Sequence, residues 1–117
     1  MNTEQFTIAV GNEVNVPIKF TLKEGKVNKV FSFSLDAVRR EQDEIQAAMA
    51  ENEYKFKEAL LSLDCFTGWT GQRLILGPDG NAAEFSVSAF TAMLGIPAVA
   101  KVVYQAFVTE IGAKEKN

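Results

Sequence analysis

Three observations predict an α+β fold for this chain. An alternating stretch, Val14-Asn15-Val16-Pro17-Ile18-Lys19-Phe20-Thr21-Leu22, is answered across Gly25 by a second run, Val27 to Phe33. Apolar residues then recur at helical spacing, first from Leu35 to Leu63 and again from Phe90 to Phe107. Between the two helical regions lie Gly68, Gly71, Gly77 and Gly80, which break any continuous helix. The expected architecture is an N-terminal antiparallel β-hairpin or small sheet packed with three to four helices. One domain over residues 1–117 suffices for a chain of this length, with frayed ends at about 1–5 and 113–117.

Each element has its own justification. Period two over nine residues marks a half-buried strand, and Pro17, which has no N–H to donate, assigns that strand to a sheet edge or delays its pairing. Lys23-Glu24-Gly25-Lys26 supplies the turn, with Gly where a positive φ is needed. Phe6-Thr7-Ile8-Ala9-Val10 alternates as well and is a candidate third strand. Ser34 is the expected N-cap of the first helix, with Asp36 in its first turn and Leu35, Val38, Ile45 and Met49 on its apolar face. The stripe lapses at Glu51-Asn52-Glu53 and resumes at Phe56, Leu60 and Leu63, which favours two helices meeting near Asn52. Pro78-Asp79-Gly80 is a turn signal, across which Leu74-Ile75-Leu76 and Ala83-Glu84-Phe85 are candidates for a short second hairpin. Ser86 or Ser88 caps a helix carrying Phe90, Met93 and Leu94 that Gly95 ends. Pro97 suits the first turn of a last helix, with Val99, Val103, Ala106 and Phe107 on its buried face and Gly112 as its stop.

Composition narrows the chemistry. Twelve Lys plus Arg stand against fifteen Asp plus Glu, a formal charge of −3, with no His and one Cys. The absence of His removes the commonest general base and metal ligand, and Cys65 alone cannot form a disulfide or a Cys-based zinc site within one chain. Mild acidity argues against a phosphate-backbone binder, so no nucleic acid is expected. MNTEQFTIAV lacks the basic and apolar regions of a signal peptide, and no segment reaches the ~20 apolar residues of a membrane span. A cytoplasmic, reducing environment is the expectation.

No constellation forms a catalytic site. Cys65 has no His to accept its proton and reads as a small buried hydrophobe. The acids Asp36, Glu41, Asp43, Glu44, Glu51, Glu53 and Glu58 are interleaved with Arg39, Arg40, Lys55 and Lys57, the pattern of a solvated helix face. Asp79-Gly80-Asn81 lacks the ligand count of a calcium loop, and Gly68-Trp69-Thr70-Gly71 lacks the Lys-Ser/Thr ending of a phosphate loop. No enzyme activity, metal or cofactor is expected. Trp69 fits either a core anchor among Phe66, Leu74 and Phe85 or an exposed partner contact.

The order of features, rather than any one motif, resembles a known family. VNVPIKFTLKEGKVNKVFSFSL, the Arg39-Arg40 pair, Gly68-Trp69 after an apolar helix, the Asp79-Gly80 turn and FSVSAFTAMLGIPAVAKVVYQAFVTEIGAKEKN together resemble the tail assembly chaperones of long-tailed bacteriophages and prophages, over about residues 14 to 117. That resemblance implies a non-enzymatic factor of the host cytoplasm. It would bind the long, apolar tape measure protein, keep it soluble, help recruit tail tube protein and be absent from the finished particle. It also implies self-association in many members, and a frameshifted longer form that contacts tube protein. Glu115-Lys116-Asn117 is codable as GAA AAA AAC, which contains the slippery sequence A AAA AAC. Candidate partner-binding residues are Phe66, Trp69, Ile96, Val99, Val103 and Phe107, with core packing the competing role for most of them. A structural tail component, such as a tube, adaptor or completion protein, is the alternative reading.

Overall fold

A computed structural model describes residues 5–115. The expected frayed start at 1–4 and the Lys116-Asn117 end lie outside the described residues. Strand β1, Glu13–Glu24, pairs antiparallel with β2, Val27–Val38, over twelve uninterrupted rungs from Glu13–Val38 to Glu24–Val27. The connection is the two residues Gly25-Lys26, with Gly25 at φ 60°, the left-handed conformation a two-residue hairpin loop asks of its first position. Strand β3, Phe66–Thr70, adds to the other edge of β2, giving the order β1-β2-β3. Pro17 therefore sits on an edge strand, as its missing donor requires.

One face of this sheet is sealed. Val16 and Ile18 of β1 and Phe33, Leu35 and Ala37 of β2 are buried, while Asn15, Pro17 and Lys19 on the opposite face are exposed. A bulge between the Asp36 and Ala37 rungs leaves Thr67 as the extra residue of β3. It brings Trp69, opposite Leu35, and Phe66, opposite Ala37, onto the same inward face although they are three apart in sequence.

Four helices complete the fold: α1 Gln42–Glu51, α2 Phe56–Leu63, α3 Val87–Leu94 and α4 Val99–Ile111. Helix α4 packs on β1, α1 on α2, and α2 and α3 on α4. The α+β expectation of a small antiparallel sheet with helices packed on it holds, and so does the break near Asn52. The break is built from Asn52, whose side chain donates to the Ala48 carbonyl at 2.7 Å, and from Glu53 and Tyr54, both left-handed at φ 56° and 60°. Ser86 caps α3 by accepting from the Ala89 amide at 3.0 Å.

Four expectations are corrected. Ser34 caps nothing, because β2 continues to Val38: Phe33, Leu35 and Ala37 are buried at period two, and the sheet claims them before a helix can. The first helix begins at Gln42, with Glu41 and Glu44 forming a capping box. Phe6–Val10 is not a strand of this sheet; the third strand is Phe66–Thr70. The proposed second hairpin shrinks to one bridge, Leu76–Ala82, across the Pro78-Asp79-Gly80 turn. Helix α4 also starts two residues after Pro97, with Ala98 left-handed at φ 70° before it.

Candidate functional site

Most of the residues expected to meet a partner are structural. Val103 and Phe107 are fully buried and Val99 and Phe66 nearly so; Phe66 stacks at 5.0 Å from Phe90 and 5.2 Å from Phe107. These four lie in the core that holds α3 and α4 to the sheet, the competing role the sequence offered for them. Trp69 and Ile96 are half-buried. Trp69 meets Phe85 edge-on at 5.2 Å and donates its indole N–H to the Ala83 carbonyl at 3.0 Å. These contacts fasten the loop after β3 to the sheet.

A second anchor of that loop went unnoticed in the sequence. Gln72 is the one buried polar side chain among the described residues. Its amide donates to the Ile75 and Ala83 carbonyls at 2.9 and 3.1 Å, and its oxygen accepts from the Leu74 and Ile75 amides at 3.0 and 2.8 Å. One side chain thereby serves four backbone groups of the loop; the Ile75 carbonyl also accepts from the Ala83 amide at 2.9 Å and the Ala83 carbonyl from Trp69. At the loop tip, the Asn81 amide and side chain both donate to Asp79, holding its carboxyl below the usual carboxylate range in a plain turn.

Arg39 and Arg40 also have specific work. Arg39 donates through its side chain to the Ile111 carbonyl at the end of α4 and to Gly11 at 3.3 Å. Its backbone amide donates to Asn12 at 2.6 Å. Arg40 donates to the Leu63 carbonyl at 3.3 Å, at the end of α2. Each guanidinium thus sits at a helix C-terminus, where the dipole favours positive charge. Cys65, fully buried, has its thiol pushed up from 9.0 to about 11, chiefly by burial and against the opposing pull of Arg40. It is a poor nucleophile at neutral pH.

Two of the open surfaces have an apolar floor. Helices α1 and α4 line a groove in two parts of about 430 and 390 Å³, which share Gln46 and Tyr104. Ile45, Met49, Val108 and Ile111 give it an apolar floor, and Tyr54 stands exposed at one end. Tyr104 is braced by Phe56 at 5.0 Å between ring centres. Arg40, Gln42 and Gln46 form its polar rim. A smaller cleft of about 120 Å³ lies between α2 and α3, over Leu60, Cys65, Phe66 and Phe90. Among the described residues no group of three or more potential metal ligands converges, and no single helix is long and apolar enough to cross a membrane.

No family model, curated protein or solved structure matches this chain.

Proposed function

We propose that this chain is a tail assembly chaperone of the long-tailed bacteriophage type, which holds apolar helical segments of a tape measure protein in the groove between α1 and α4. The observation that carries this reading is the groove itself. It has an apolar floor with a glutamine and arginine rim and runs between two helices that do not close on each other, the shape that receives one face of an amphipathic helix. The ordered resemblance described above supplies the client, and the −3 charge favours solubility of a complex with a sticky partner.

Co-expression with the long tape-measure reading frame beside its gene tests the reading. The client is expected to stay soluble and to co-elute with the wild-type chain. Capture is expected to fall about tenfold with Val108→Asp, which sets a charge on the groove floor, and to persist with Val27→Asp on the exposed hairpin. An insoluble client, or equal capture by both variants, overturns it. The second reading, a structural tail component, draws on the sheet's long open edges, which suit a subunit that polymerises. Finding the polypeptide in purified particles would favour that reading, since a chaperone leaves before completion.

A further inference from the structure

The sheet has a vacant edge, and the chain has an unused strand. Val38 donates its amide to Cys65, toward the β3 side, whereas Arg39 donates toward Asn12, on the β1 side. Because the pairing of β1 with β2 is unbroken, the same parity runs down the strand, so Asn28, Val30 and Ser32 aim their backbone groups away from β1. Nothing within the sheet receives them. Strand β3 ends at Thr70, opposite Ser34, and Gly71, at φ 80°, turns the chain off the edge while Gln72 dives into the loop. A slot of about 390 Å³ lined by Val30, Phe31, Ser32, Gly71 and Arg73 marks where β3 would have continued.

The unused strand is Phe6–Val10. Phe6, Ile8 and Val10 alternate with Thr7 and Ala9 and are 85%, 75% and 56% exposed. Phe6 and Ile8 exceed every other large apolar side chain among the described residues in exposure. Arg39 holds Gly11 and Asn12 at the base of the hairpin. From that base to Ser32 is six residues of strand, about 20 Å, whereas Val10 lies only two residues, at most about 7 Å, from Asn12. The segment cannot lie along its own chain's vacant edge.

We propose that Phe6–Val10 of one copy adds as a strand to the open edge of β2, Asn28 to Ser32, in a second copy of this chain. Donor and vacancy are each five residues long, and in that register Phe6, Ile8 and Val10 stand opposite Asn28, Val30 and Ser32, on the sheet face that carries the exposed Val30. The outer edge of β1 is the poorer acceptor, because Pro17 interrupts its donors. This inference stands on the sheet edge alone and is independent of the client reading, since client capture and self-association are separate readouts.

Sedimentation equilibrium of the full chain at about 50 μM is expected to show assemblies heavier than the 12.9 kDa monomer. Ile8→Asp, which lies outside every helix and strand, is expected to weaken association at least tenfold, to about the monomer. Val30→Pro removes only an outward-facing amide and is expected to do the same without unfolding the hairpin, while Val30→Ala keeps the assembly. Mixing Ile8→Cys copies with Val30→Cys copies, which meet at the centre of the paired segments, is expected to yield a disulfide between chains that neither forms alone. A monomeric wild type, or assemblies indifferent to Ile8→Asp, overturns the proposal.

Discussion

The two halves of one hairpin behave as different materials. From the Val14–Ala37 rung to Ile18–Phe33, the inward side chains lie in the core, under α4 and beside β3. From Phe20–Phe31 to Glu24–Val27 the same alternation continues, but its inward side chains are only half-buried at Phe20, Leu22 and Phe31 and exposed beyond. Phe20 has only its neighbours, Phe31 and Phe33, each 6.0 Å away between ring centres. An ion pair of 2.7 Å between Glu24 and Lys29 ends the strip near the turn. The pleat determines which side chains share a face, but only a covering element turns that face into core. A two-stranded ribbon with one uncovered apolar face is marginal in water, so the distal half depends on the proximal half for its order.

Paired truncations sharpen the contrast. Leu35→Ala, at a fully buried site, is expected to cost about 2–5 kcal/mol in chemical denaturation, since it leaves a cavity under α4. Phe31→Ala, two residues along the same face, removes a larger side chain yet is expected to cost about 1 kcal/mol or less. Equal costs would mean that the distal half is covered in solution. Between these lies Arg39→Ala, which frees the end of α4 and the residues before β1 together. It is expected to lose about 1–2 kcal/mol and to raise hydrogen exchange at Gly112, whose own amide closes α4, more than at Phe31.

The smallest effect is a pH slope. The Cys65 thiol titrates near 11 when folded and near 9.0 when exposed, so above 9.0 the unfolded chain loses a proton that the folded chain keeps. The stability from the buried neutral thiol is therefore whole below pH 9.0 and drains away as pH climbs toward 11. The difference in denaturation midpoint between wild type and Cys65→Ala should shrink across that window. A disulfide-forming thiol reagent at pH 8 should leave folded Cys65 unmodified.

Much of the hairpin was legible because nine alternating residues admit one periodicity, and Pro17 disclosed its edge. The end of β2 was not, because Ser34-Leu35-Asp36 satisfies a helix cap and a strand equally well, and only pairing with β1 on one side and β3 on the other decides between them. Strand β3 was hidden for a related reason: Thr67 bulges, so Phe66 and Trp69 share a face without alternating. Gln72 gave no local signal at all, since its four partners are assembled by the turn of the whole loop. The groove between α1 and α4 was equally silent, because it is a space between two helices and belongs to neither helix's pattern. Phe66, Val99, Val103 and Phe107 were identifiable as apolar, but periodicity cannot separate a core stripe from a client stripe of the same chemistry.

The long hairpin also alters how the molecule moves through solvent. Its extents are 63 × 34 × 28 Å and its radius of gyration is 16.3 Å, against about 13 Å for a compact chain of this length. Drag rises with such asymmetry, so a lone chain elutes from a sizing column ahead of spherical standards of its mass and can pass for a dimer. Counting copies therefore calls for a method that weighs particles independently of their friction.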